Sequence, residues 1–334
     1  MSYEQSVMQR ASARLLRRKE IRERKRYDLE QELYRREPKL RELDHAIRRT
    51  MTELTELAVS GRAVEADGPE ITAIRARNLE LQAKRAEVLK GLGYEADVLD
   101  DKPACLLCGD TGWNGGEMCP CLKEVCAAEQ MKVLTALLNL TEEQSFDKLR
   151  LDVYSAETGR GDGPSPREKM RKVAAVCEGF ARQFPHYPLK NLLFSGNTGL
   201  GKTFISGCIA RAVSEGGHSV VYDTAINLFS AFETRKFTRD AAEERQARED
   251  TRRYLNCDLL ILDDLGSELT TPLVQSILYE VVNSRLQADK RTIISTNLSM
   301  AQIADRYSPQ VASRIGGLYR ELIFYGQDIR LMNR

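Results

Sequence analysis

The stretch Gly196-Asn197-Thr198-Gly199-Leu200-Gly201-Lys202-Thr203 constrains this chain more than any other. It fits G-x-x-x-x-G-K-[ST] at every fixed position. It follows an apolar strand expected over Asn191–Ser195 and opens a helix expected from Lys202. Physics sets the spacing: the glycines let the backbone fold into a concave nest whose N–H groups converge on phosphate oxygens. The helix N-terminus adds partial positive charge at the same place. Lys202 has the reach for the β and γ phosphates, and the Thr203 hydroxyl is suited to ligate Mg²⁺.

A phosphate loop needs a second element to hold the metal. Leu259-Leu260-Ile261-Leu262-Asp263-Asp264 supplies it, four apolar residues of a buried strand followed by two carboxylates at its C-terminal end, where ligands bind in such sheets. Asp263 is the expected Mg²⁺ residue, and Asp264 is placed to orient or deprotonate the attacking water. Further strands are expected at Ser219–Asp223 and Thr292–Thr296, with helices between, so βαβ units build a parallel sheet. Asn297, at the tip of the second of these strands, can contact a γ-phosphate or the lytic water. Arg314, in an expected helix over Ser308–Gly317, and Arg330, in Gly326–Arg330, are candidates to meet charge developing on that phosphate.

The first third is different. Residues 1–50 hold 15 Lys/Arg against 9 Asp/Glu, although the whole chain has a net charge of only +1. That balance excludes a uniformly basic nucleic-acid coat, so any DNA contact is local. No apolar run is long enough for a membrane span and no apolar signal core opens the chain, so a cytoplasmic protein is expected. The chain lacks Gly and Pro from Tyr3 to Arg36, then meets Pro38. Leu40, Leu43, Ile47, Met51 and Leu54 follow as one stripe, and Ile74, Leu81 and Val88 recur seven apart in a third helix ended by Gly91 and Gly93. Five of eight cysteines fall within 22 residues. Cys105-x-x-Cys108 and Cys119-Pro120-Cys121 are two close pairs able to converge into a tetrahedral thiolate site suited to structural Zn²⁺. Cys126 is a spare or replaces one of the four.

These motifs, in this order, resemble the bacterial replicative-helicase loaders of the DnaC/DnaI type within the AAA+ ATPases. The ATPase portion carries Gly196–Thr203, Leu259–Gly266, Thr292–Asn297, Ser313–Arg314 and Gly326–Arg330, and the cysteine knuckle between Gly93-Tyr94 and Thr111-Gly112 looks like the DnaI-type N-terminal half. The resemblance implies ATP with Mg²⁺ as ligand and Asn297 as the first sensor. It implies Arg314 as an arginine finger acting in trans, and Arg330 as a second sensor. It further implies an N-terminal region that grips the hexameric helicase and an ATPase domain that self-associates on ATP and binds single-stranded DNA. Asp264 stands where most AAA+ enzymes have Glu, and its shorter arm predicts slow, switch-like hydrolysis.

The expected fold is therefore α/β: a C-terminal P-loop AAA+ ATPase with a parallel sheet, preceded by an α-helical region and a small zinc knuckle. The expected division is 1–98 for partner docking, 99–130 for the knuckle, 131–165 as linker and 166–334 for the ATPase. The expected activity is helicase loading in replication initiation or restart, with hydrolysis as an assembly and release switch. The rival is an IstB-type transposition helper, which shares the ATPase core but generally lacks the knuckle. A zinc-dependent adaptor with a purely structural nucleotide site is a third reading. The charged insert Arg235–Arg253 is a solvated helix or a partner- or DNA-facing one.

Overall fold

Proline and glycine set the helix boundaries in the first third of the chain. The computed structural model describes residues 3–59, 68–138, 145–157 and 163–329. Helix α1 (Gln5–Arg36) stops before Pro38, which opens α2 (Pro38–Val59). Pro69 opens α3 (Pro69–Gly91). Gly61 and Gly68 make Ser60–Pro69 an expected loop, and most of it lies outside the described residues. The contacts divide the chain into two units, Leu15–Thr111 and Met1–Arg14 with Gly112–Arg334.

In the first unit Leu33, Leu40, Leu89 and Leu99 are buried together. The α2 stripe is fully buried only at its start: Leu40 and Leu43 are buried, Ile47 and Leu54 are half-buried, and Met51 is 56% exposed. Between α2 and α3 the contact turns polar. Buried Asn78 donates to buried Thr50, and Arg85 pairs with Asp44 at 2.7 Å and Asp100 at 3.1 Å.

The second unit takes in the beginning of α1. Tyr3, Val7 and Ala11, one helical turn apart, are buried. The Tyr3 hydroxyl donates to the Gly217 carbonyl at 2.6 Å, and Arg14 pairs with Glu129 at 2.9 Å. A short antiparallel hairpin, β1 (Trp113–Asn114) and β2 (Glu117–Met118), leads into α4 (Pro120–Leu138). Helix α5 (Pro166–Arg182) begins with a reciprocal capping box between Ser165 and Glu168.

Then the alternation begins: β3 (Leu192–Ser195), α6 (Lys202–Glu215), β4 (Val220–Thr224), α7 (Ala225–Phe237), α8 (Ala241–Asn256), β5 (Leu259–Leu265), α9 (Pro272–Gln287), β6 (Arg291–Thr296), α10 (Met300–Arg306), α11 (Pro309–Leu318) and β7 (Arg320–Ile323). The five strands β3–β7 form one parallel sheet in the order β4-β5-β6-β3-β7. Strand periodicity splits the core in two. Leu192, Phe194, Tyr222 and Ile261 face the α5–α6 side with Met170, Phe180 and Ile209. Leu193, Val221, Leu260 and Ile294 face the other side with Phe229, Leu278 and Ile315.

The charged insert forms the end of α7 and most of α8. The inner face of α8 is buried through Ala247, Thr251 and Tyr254, while Arg248 and Arg252 stay outside. No described helix is long and apolar enough to cross a membrane. Arg285 is wholly buried and donates to the carbonyls of Tyr254 (2.7 Å), Cys257 (3.1 Å) and Arg291 (2.6 Å) and to the Thr292 hydroxyl (2.9 Å). It thereby ties the end of α8 to the start of β6. Removing it leaves those acceptors buried without their donor. Arg285→Met is expected to cost about 3 kcal/mol or more in urea unfolding. Arg285→Lys should recover only part of that, because a point charge cannot span the fork's acceptors. A loss below about 1 kcal/mol for the Met variant would contradict this account.

Candidate nucleotide site and cysteine cluster

The sheet order places β6 between β3 and β5, so three strand tips converge: the phosphate loop after β3, the Asp pair at the end of β5, and Asn297 after β6. Gly201 precedes α6 in the left-handed region at φ +88, a conformation glycine adopts without strain. Buried Lys202 donates from Nζ to the Gly196 carbonyl (2.5 Å), the Asn197 carbonyl (2.8 Å) and Asn297 Oδ1 (2.6 Å). Thr203 donates to Asp263 Oδ2 at 3.0 Å. Lys202, Thr203, Asp263 and Asn297 are thus brought together in one bonded group.

The β5–β6 register shifts between Leu262 and Leu265, so the Asp pair sits on a bulge, which re-aims side chains. Asp264 adopts φ +58, unusual for a non-glycine residue. Its N–H donates to Asp263 Oδ1 (3.1 Å) and Ser295 Oγ (3.0 Å), and its Oδ1 accepts from Asn297 Nδ2 at 3.4 Å. Two further hydroxyls reach Asp263: Ser295 donates to Oδ1 and Tyr222 to Oδ2. Burial, and then the Asp263 charge, push the Tyr222 phenol up, so it remains a donor. Tyr222 belongs to no motif, and Ser295, though inside Thr292–Asn297, is not singled out there. Their signal lay in strand register: Tyr222 pairs with Ile261, two residues before Asp263 and on the same face.

The chain beyond β7 folds back over the loop. The Ile329 N–H donates to the Gly199 carbonyl at 3.0 Å. A cavity of about 540 Å³ is lined by Asn197, Thr198, Leu200, Asn297, Gly326, Gln327 and Asp328, within the size range of small-molecule sites. The phosphate nest, the carboxylate beside Thr203 and this cavity fit a nucleotide with Mg²⁺. Arg314 lies elsewhere: it stacks over Tyr279, its guanidinium carbon 4.8 Å from the ring centre, and donates to Asn283 Oδ1 (3.0 Å) and the Tyr279 hydroxyl (2.9 Å). Arg330 lies outside the described residues.

The Sγ atoms of Cys105, Cys108, Cys119 and Cys121 lie within 4.8 Å of one another. Four thiolates around Zn²⁺ at about 2.3 Å fall within such a spread, so the donor set fits zinc. Asp110 braces the first pair, accepting the N–H groups of Cys105 (2.8 Å) and Ala104 (3.1 Å) and an Arg22 guanidinium bond. Burial alone would raise the Asp110 pKa, but those N–H groups and Arg22 hold it below the usual carboxylate range. Cys126 stands apart from the four, with its sulfur 3.5 Å from Met8 Sδ. Burial pushes its thiol up to about 11.

A parallel sheet with the Asn-tipped strand inserted between the phosphate-loop strand and the Asp-pair strand defines a P-loop ATPase domain of the AAA+ class. Residues 187–313 match the family profile described as IstB-like ATP binding protein. The replicative helicase loader DnaC of Escherichia coli (strain K12) is 25% identical over 127 residues, covering 38% of this chain and 50% of that protein. The DnaC of Buchnera aphidicola is 26% identical over 132 residues, 39% of this chain and 52% of that one. Among solved structures, the DnaC helicase loader aligns with TM-score 0.42 at 22% identity, over 54% of this chain and 98% of that one. The chain spans about half the length of the curated loaders it matches. Residues 187–313 are thus similar to IstB-like ATP binding proteins and to the DnaC loaders.

The loop's glycines differ in what a side chain would meet. A Cβ at Gly196 would lie 2.6 Å from the Phe324 backbone carbonyl, whereas one at Gly199 would meet the carboxylate end of Asp328. Both positions have positive φ. Backbone cannot step aside as a side chain can. Gly196→Ala is therefore expected to lower stability by about 2 kcal/mol and by clearly more than Gly199→Ala in parallel urea unfolding. Equal losses, or the reverse order, would refute this.

Proposed function

We propose that this protein is an ATP-dependent loader of the hexameric replicative DNA helicase, acting in the cytoplasm to place that helicase on single-stranded DNA in replication initiation or restart. The observation that carries the ATPase part is the convergence of Lys202, Thr203, Asp263, Asp264 and Asn297 at neighbouring strand tips. The likeness of the same segment to curated DnaC loaders supports the loader part.

In this reading Gly196, Asn197, Thr198, Gly199, Leu200 and Gly201 cradle the phosphates, and Lys202 turns from its present acceptors to the β and γ phosphates. Thr203 and Asp263 hold Mg²⁺, which when bound neutralises charge on the phosphates. Asp264 orients the lytic water and Asn297 senses the γ-phosphate. Asp264 is short, sits on a bulge and is shared with Asn297, which favours slow hydrolysis. Arg314 acts in trans from a neighbouring subunit, poised by the Tyr279 stack, and Arg330 is the second sensor arginine. Cys105, Cys108, Cys119 and Cys121 hold a structural zinc. Functionally the chain divides at 1–98, 99–130, 131–165 and 166–334, with helicase docking in the first two parts and DNA contact in the last. The first turns of α1 serve instead to fasten that helix, since Tyr3 and Arg14 bond within the ATPase unit.

The test is capture of the host's replicative helicase by the full chain with ATP and with ADP. Capture that depends on the nucleotide supports the loader. No capture under either nucleotide sinks it and brings forward transposition help, the reading that the IstB-like profile favours. Hydrolysis supplies a second test. Arg314→Ala and Asp264→Asn should each lose most activity alone, and mixing them should restore a measurable part, because each contributes what the other lacks. Failure of the mixture to regain activity would refute an arginine supplied in trans. The purified chain should carry one zinc, and Cys108→Ser should lower the zinc content and the melting temperature together. Full zinc content in that variant would remove Cys108 from the ligand set.

A further inference from the structure

Asp263 accepts four hydrogen bonds from four places. Thr203 at the start of α6 and Tyr222 on β4 donate to Oδ2; Ser295 on β6 and the Asp264 N–H donate to Oδ1. Four donors fill the acceptor capacity of a carboxylate. Thr203 comes with the phosphate-loop motif, and the Asp264 N–H comes with the bulge. Tyr222 comes from β4, the strand at the sheet edge beyond β5. Its ring is 5% exposed and belongs to the core cluster that includes Ile205, Ile209 and Ile261. A close-packed ring of that kind cannot swing away without opening the core, so only its O–H turns. Thr203 must share its oxygen with a metal when one is bound, whereas Tyr222 has no such second duty.

We propose that Tyr222 is a positioning residue of the Mg²⁺ site, its hydroxyl fixing the Asp263 carboxylate so that Oδ2 stays turned to Thr203 before the metal–nucleotide complex arrives. This rests on the nucleotide-site reading above. Without the phenol O–H, Oδ2 keeps one of its two donors and the carboxylate is free to turn about the remaining bonds. The reordering is then charged to metal binding. Partners one bond removed from a metal typically contribute 10- to 100-fold to its affinity, and a single neutral donor belongs at the lower end.

Tyr222→Phe removes the hydroxyl and keeps the ring. The readout is the affinity of the full chain for a fluorescent ATP analogue in EDTA and in Mg²⁺, with Mn²⁺ binding to the nucleotide-bound chain counted by electron paramagnetic resonance. In the variant, affinity in EDTA should stay within about twofold, while Mn²⁺ affinity and the gain given by Mg²⁺ should fall about tenfold. A residue that merely fills the core would lower both affinities together or neither. Adding Tyr222→Phe to Asp263→Asn should change Mn²⁺ affinity no further, because the phenol acts through that carboxylate. An unchanged Mg²⁺ gain in Tyr222→Phe, or losses that simply add in the double variant, overturns the proposal while leaving the nucleotide site standing. If the unaltered chain gains nothing from Mg²⁺, the site reading and this one fall together.

Discussion

The Asp263 carboxylate is the point on which the nucleotide-binding unit turns. It draws donors from α6, β4, β6 and the next residue of its own strand. A buried charge is tolerated only when its lone pairs are satisfied. Satisfying these four pins three strands and the phosphate-loop helix to a common geometry. The bulge between Leu262 and Leu265 serves the same end. It lets Leu265 resume pairing with Thr296 while the two aspartates leave the β5–β6 ladder, Asp263 staying paired with Thr224 of β4. The left-handed backbone of Asp264 is the strain that arrangement stores, and it is over-determined by bonds to Ser295 and Asp263.

Much of this was legible in the sequence because the signals are local. The phosphate loop is eight consecutive residues with glycine at the positions that need it, and Leu259–Asp264 is a continuous apolar run ended by charge. The boundaries of α1, α2 and α3 follow from Pro38, Pro69 and Gly91 for the same reason. The cysteine pairs were legible through their spacing alone. What stayed hidden depends on register or on short elements. Strand β7 has one buried residue, Leu322, in Arg-Glu-Leu-Ile, so it shows no usable alternation. Tyr222 and Ser295 read as ordinary strand residues until pairing brings them beside Asp263.

The apolar stripe of α2 misleads for a different reason. Periodicity predicts which face is buried but not how far along the helix a partner extends. Leu40 and Leu43 are covered, whereas Met51 is exposed and buried Thr50 pairs with Asn78. At the cysteine cluster Leu106 and Leu107, between Cys105 and Cys108, are 86% and 65% exposed. A turn whose sulfurs point inward must aim its intervening side chains outward, so a small closed site presents apolar residues at its tip even where it buries almost nothing.

Strand β4 joins the nucleotide site to the rest of its unit. Successive residues of a strand face opposite sides of the sheet. Tyr222 meets Asp263 on one face. On the other, Asp223 accepts from Arg253 (3.0 Å) and from the Tyr254 hydroxyl (2.7 Å) of α8. Arg253 also lies 3.6 Å from Glu4, just before α1. The carboxylate beside the phosphate loop and the first residues of the chain are thus linked through two adjacent residues and one guanidinium. Partly buried Arg253 is the junction of this link, because that side chain is shared by an acid on β4, a phenol on α8 and an acid just before α1.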